Sequence, residues 1–193
     1  YLNFLRSVVD DGDAIDFEPD VYNFKFVGFS GSFILDEQSN PILLKQDRGL
    51  KIELLAGGNF KFITSDGTEF VFDVKETTQP QNTCTTGNLE PTVTSAWYLS
   101  KITALNGDEI TLNYNSHSMF YASGFNQTYS VPYYYTGGSQ DCTAPTPVEN
   151  HCELYSSVSS KKISSISNNR NSKTIVFTTS TRGDIENTSV KLS

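Results

Sequence analysis

The sequence predicts an all-β fold, an antiparallel meander of consecutive β-hairpins forming an extended, twisted sheet, with a β-sandwich as the alternative. Three observations carry this. Apolar and polar residues alternate through several runs with the period of two that a half-buried strand requires. Turn formers such as Asp66-Gly67 and Asn106-Gly107 join pairs of those runs. No segment has a 3.6-residue period, while 13 Phe, 10 Tyr and 1 Trp, together with many Val, Ile and Thr, favour pleated surfaces.

Residues 1–20 form an acidic amino-terminal segment. Leu2, Phe4, Leu5, Val8 and Val9 lead into DDGDAIDFEPD, where Asp11, Asp13 and Asp16 are the candidate ligands for Ca²⁺, a cation that takes six to eight oxygens. Gly12 comes too early for an EF-hand loop, and the alternative reading is a solvated acidic turn. A β-meander is expected over 21–75. Tyr22, Phe24 and Phe26 alternate with polar residues, Gly28 and Gly31 bend the chain, and Phe33 and Leu35 resume the pattern. DEQSNP, 36–41, is a turn by composition; Leu50, Ile52 and Leu54 precede the break at Gly57-Gly58; and the runs Phe60 to Thr64 and Phe70 to Val74 flank Asp66-Gly67.

Residues 76–95 lack periodicity and are expected to be a loop. The most complete local signal follows at 96–117, where WYLSKITALNGDEITLNY reads as a hairpin with Asn106-Gly107 at its turn and Trp97 as a core anchor. A worn copy of it, KKISSISNNRNSKTIVFTTS, lies within 159–193. There Ile163 and Ile166 stand for Leu99 and Ile102, and Ile175 and Phe177 for Ile110 and Leu112. The copy's turn is one residue longer, with Asn168, Asn169 and Asn171 offering left-handed positions. Between the two hairpins, 118–158 is expected to be a long loop carrying Cys142 and Cys152. The segments together are expected to make one domain of a longer protein.

Length, charge and cysteines bound the function. A chain of 193 residues buries roughly 70% of its unfolded surface. With 22 acidic against 14 basic residues the net charge of −8 repels a phosphate backbone, so nucleic acid is excluded as a partner. No apolar run approaches the roughly 20 residues of a membrane-spanning helix, so this fragment is expected to carry no membrane span. The chain opens at Tyr1 without a charged-then-apolar leader, as a mature or trimmed piece of a longer protein would. Cys84, Cys142 and Cys152 suit a secreted or cell-surface protein with one disulfide and one thiol left over; three free thiols are the alternative. A Cys142–Cys152 bond would close the loop holding Pro145 and Pro147, whereas Cys84 bonded to either would staple two loops.

A catalytic constellation is missing. His151 and Cys152 are neighbours, but residues adjacent in sequence seldom present their side chains to one another, and no nucleophile signature surrounds them. His117 completes no metal spacing. The chain is therefore read as non-enzymatic, with no cofactor and no catalytic, cofactor-binding or metal residue assigned beyond the calcium candidates. Tyr133, Tyr134 and Tyr135 are the candidate ligand contacts, as a platform for a protein or glycan at the cell surface; their other reading is cover for an edge or small core.

The order of motifs EPDVYNFKFVGFSGSFILDEQSNP, LKIELLAGGNFKFITSDGTEFVFD and TSAWYLSKITALNGDEITLNY, over about 16–117, resembles the amino-terminal part of large secreted bacterial proteins of the Rhs/YD-repeat type. The resemblance implies β-hairpins laid side by side in a spiralling sheet that closes as a shell around a carboxy-terminal toxin or effector. Such a segment would be scaffold, its partners the neighbouring segments of the same protein. The family's Tyr-Asp dipeptide followed by Gly-Arg does not occur here; Tyr114-Asn115 stands in its place. The self-cleavage motif and toxin domain are also absent from this sequence, so neither activity is carried over.

Overall fold

The computed structural model describes residues 19–45, 49–82, 91–130, 148–171, 173–181 and 190–192. All regular structure among them is β-strand. The chain divides into two compact units, Tyr1–Thr68 and Glu69–Ser193.

In the first unit β1 (Tyr22–Phe26), β2 (Phe29–Leu35) and β3 (Pro41–Leu43) pair antiparallel in that order, and β4 (Leu50–Leu55) pairs antiparallel with β5 (Asn59–Thr64). Alternation on these strands places their aromatic rings in one cluster. Phe33, 2% exposed, stacks on Tyr22 at 5.1 Å and meets Phe60 edge-on at 5.1 Å. Phe62 lies 5.1 Å from Phe24 and 5.0 Å from Phe26. Rings at such separations add about 0.5–1.5 kcal/mol per pair to the burial of their area. Leu50 and Ile52, also buried, complete this core. Gly31 is a strand residue, not a bend: it sits opposite Phe24, whose Cζ would lie 2.8 Å from an added Cβ. The bend falls at Val27-Gly28 instead, with φ of 35° and 86°, the primed turn of a two-residue hairpin.

One turn geometry recurs three times across the chain. At Asp36–Asn40, Thr64–Thr68 and Ala104–Asp108 the first residue's N–H donates to the fifth's carbonyl, and the fourth's N–H donates to the first's carbonyl. The fourth residue takes positive φ each time: Ser39 at 64°, Gly67 at 80° and Gly107 at 83°. This is the three-residue hairpin loop with a left-handed closing residue. In the Asn106-Gly107 turn it is Gly107, not Asn106, that takes positive φ. The Asn106 side chain accepts from Asp108 N–H at 3.1 Å.

The second unit contains β6 (Glu69–Asn82), β7 (Val93–Thr103), β8 (Glu109–Ser130), β9 (Val148–Asn168), β10 (Thr174–Val176), β11 (Thr179–Thr181) and β12 (Val190–Leu192). β6 pairs with β7, β7 with β8 and β8 with β9, all antiparallel, and Thr77–Asn82 of β6 pairs with Leu154–Ser159 of β9. That last pairing closes a small barrel-like ring. β10 adds to β9, and β11 pairs with β12. The two hairpins read from sequence are both present, with Ile102 opposite Ile110 and Ile166 opposite Ile175, and they lie side by side through Leu112 opposite Ile166. In the second hairpin's turn none of Asn168, Asn169 and Asn171 has positive φ. Asn168 instead accepts from the N–H groups of Arg170 and Asn171, and Asn169 reaches back to Glu109 N–H and the Gly107 carbonyl.

Strands extend into both segments expected to be loops, 76–95 and 118–158. β6 runs to Asn82, β7 starts at Val93, β8 runs to Ser130 and β9 starts at Val148. Along β8 beyond Ser118 alternation is not clean because much of both faces meets solvent, with Tyr121 and Phe125 51% and 60% exposed; on β9 the buried positions Ser156 and Ser160 are polar.

Val27 is β-branched, 67% exposed and held at positive φ, a strained combination. Val27→Asn, which restores the preferred Asn-Gly pair, is expected to stabilise the first unit by about 1 kcal/mol in urea denaturation. By the same measurement Phe33→Ala is expected to destabilise it by about 3–5 kcal/mol.

Candidate functional site

Two side-chain groupings stand out, both in the second unit. The first is inside the ring, where Glu76 of β6 meets residues from β7 and β9. Its Oε2 accepts from the hydroxyls of Tyr98 at 2.7 Å and Ser160 at 2.6 Å, and its Oε1 from Ser95 at 3.1 Å. Thr78 donates in turn to Ser95 Oγ at 3.0 Å. Tyr114 packs its ring 5.5 Å from that of Tyr98 and donates to the Leu99 carbonyl at 2.7 Å. Ser160, with Ser156 and Val158, is among the buried residues of β9.

Desolvation pushes the Glu76 carboxyl up, but hydrogen bonds from Ser160, Tyr98 and Ser95 outweigh it and hold the group below the ordinary carboxylate range. Burial raises the Tyr98 phenol, with the Glu76 charge adding to it, and burial also raises Tyr114. Among the described residues the carboxylate's charge is met by hydroxyl dipoles, and the Tyr98, Ser95 and Ser160 hydroxyls are committed to the cluster. Chemically the group stores charge and ties three strands together. It presents no general base directed at a separate nucleophile and no oxyanion donors.

The second grouping lies on the ribbon formed by the far ends of β8 and β9. Register puts Phe120, Ala122, Phe125, Gln127 and Tyr129 on one face with Glu149, His151, Glu153, Tyr155 and Ser157, because a bulge at Ser123 restores the alternation that five-residue spacing would break. Ring contacts agree. Phe120 stacks on Tyr155 at 4.9 Å, and Phe125 lies 5.0 Å from His151. Polar groups fill the gaps: Gln127 Nε2 donates to Tyr129 Oη at 2.5 Å and to Glu149, Tyr129 donates to Glu149 at 3.3 Å, and His151 Nε2 lies 3.5 Å from Glu153. Phe125 and Tyr129 are each 60% exposed and Phe120 49%. The result is a row of flat apolar rings set among carboxylates and an amide, suited to stacking against another flat apolar surface while accepting hydrogen bonds beside it.

Asp11, Asp13, Asp16, Tyr133, Tyr134, Tyr135 and Cys142 lie outside the described residues. Cys152 is disulfide-bonded, and the chain's other two cysteines, Cys84 and Cys142, are likewise outside them. Strand alternation on β9 sends His151 and Cys152 to opposite faces. Trp97 is half-buried on β7 opposite Lys75. Among the described residues no three His, Cys, Asp or Glu side chains gather as a metal site, and none forms a helix long and apolar enough to cross a membrane. The ribbon face is not legible in the sequence because its bulge hides the period; Phe120, Phe125 and Tyr129 in an uncharged stretch are its one local signal.

No known family model, no curated protein and no solved structure matches this chain.

Lowering of the Glu76 carboxyl below its usual 4.5 fixes a sign for acid stability. Its contribution is complete above the ordinary carboxylate range and is lost as pH falls through the lowered value. Thermal melts are expected to show the second unit losing stability in acid below about pH 4.5. Glu76→Gln is expected to destabilise the second unit by about 1–2 kcal/mol at neutral pH, seen as a lower melting temperature, and to lose part of that acid dependence.

Proposed function

We propose that this chain is a non-catalytic β-structural segment of a large exported protein of the Rhs/YD-repeat type, acting through contact rather than chemistry. The observation that carries the reading is the β8–β9 ribbon: a long pair of strands whose aromatic face is left in solvent beside a ring whose polar groups are consumed in self-contact. Two hairpins paired side by side suit a scaffold, since each offers the next a strand edge to build on. The order of motifs over about 16–117 supports the same family, and the partners would then be neighbouring segments of the same protein.

A second reading rests on the ribbon face itself. Phe120, Phe125 and Tyr129 among Glu149, Glu153 and Gln127 suit an adhesion surface for a glycan, whose apolar ring faces stack on aromatics while its hydroxyls donate to carboxylates.

Fractionation of cells that make the protein natively tests the leading reading. Protease-accessible protein outside the cytoplasm is expected; exclusively cytoplasmic protein would overturn it. On a glycan array the second reading expects a signal that Phe125→Ala reduces at least tenfold, and the leading reading expects none.

A further inference from the structure

The ribbon has two edges, and they are built differently. β9 from Val148 to Glu153 carries Glu149, His151 and Glu153, charged or chargeable groups of the kind that protect a strand edge from unwanted pairing. β8 from Ser118 to Ser130 carries no charged residue at all, in a chain of net charge −8. Among the described residues β7 pairs with β8 only through Lys101, Ile102 and Thr103, opposite Thr111, Ile110 and Glu109. Beyond that point the described strands leave one side of β8 without a ladder. Past Gly124, opposite Leu154, β6 also ends on the β9 side, so the described ribbon is two strands wide. A two-stranded ribbon is marginal in water without a further strand or a packed face.

The residues on β8 also specify what completes it. Phe120, Phe125 and Tyr129 stand opposite Ser157, Glu153 and Glu149, so the aromatics recur at even four-residue steps of the β9 ladder. Reversed about Phe125, the strand superposes Phe120 on Tyr129, so the aromatic positions of that face coincide, with Ala122 falling on Gln127. A foreign strand would match this only by chance, whereas a second copy of this chain matches it by symmetry.

We propose that the Ser118–Ser130 edge of β8 pairs antiparallel with the same edge of a second copy, about a two-fold axis at Phe125. The axis stands perpendicular to the ribbon, so both aromatic faces fall on the same side. Phe125 then meets its mate, and each Phe120 faces the other copy's Tyr129, the aromatic cross-strand pairs that stabilise sheets. The lack of charge along the edge lets two acidic chains approach there without like charges coming opposite one another. The result is a four-stranded sheet that closes as a dimer. This rests on the contact reading of the ribbon, but not on export or family.

The test is sedimentation velocity of the full chain across a dilution series, together with amide hydrogen exchange. A reversible dimer is expected, with exchange along 118–130 slowing at least tenfold as the dimer fills and exchange along 148–153 unchanged. Asn126→Lys with Thr128→Lys, which charges the β8 edge, is expected to give a monomer of unchanged circular dichroism. Asn150→Lys, on the β9 edge, is expected to leave the dimer intact. A wild-type monomer at every concentration overturns the proposal. So does an open-ended polymer, or a dimer whose exchange protection lies outside 118–130. Should the lysine pair unfold the chain, the wild-type exchange pattern decides alone. A monomer located outside the cell would contradict dimerisation while leaving the exported, scaffold reading standing.

Discussion

The second unit depends on one pairing, that of β6 with β9 from Thr77 to Asn82 and Leu154 to Ser159. Without it β6 to β10 are hairpins in series; with it Thr77 and Thr78 have β7 on one side and β9 on the other, and the sheet returns on itself. Closure has a direct consequence for polar chemistry. It turns the Ser156, Val158 and Ser160 side of β9 inward and brings Glu76 within hydrogen-bonding distance of Ser160, eighty-four residues further along the chain. A carboxylate drawn partly out of water must find donors there, and among the described residues the hydroxyls of Tyr98, Ser95 and Ser160 supply them.

Closure also decides what remains outside. β8 and β9 are longer than the ring they help form, and the excess projects as a ribbon whose rings cannot be covered from within. The first unit solves the same problem differently: its short strands carry their aromatics on facing surfaces, so Phe33, Phe60 and Phe62 bury one another. Aromatic alternation thus leads to a core in one unit and to a contact surface in the other. The difference lies in strand length against the available cover rather than in residue type.

Local signals are legible in the sequence. The Ile102-to-Ile110 and Ile166-to-Ile175 spacings became paired positions, because a tight turn fixes register within a hairpin. The all-β class and antiparallel pairing followed from the same periodicity. Turn detail was less legible: the asparagines near 106 and 168 act through their side-chain oxygens rather than by left-handed backbone, two uses of one residue type that look alike in sequence. The ribbon was hidden by the Ser123 bulge, which breaks the count of two, and by solvent on both faces. Neither the β6–β9 pairing nor the Glu76 cluster leaves a local trace, since each joins segments more than seventy residues apart.

Cross-strand backbone nuclear Overhauser contacts measure ring closure most directly. Contacts between residues 77–82 and 154–159, present alongside those that tie β8 to β9, are the predicted result. A spectrum with the β8–β9 contacts intact and the β6–β9 contacts missing would contradict it, leaving an open run of hairpins and a Glu76 carboxylate without its cradle.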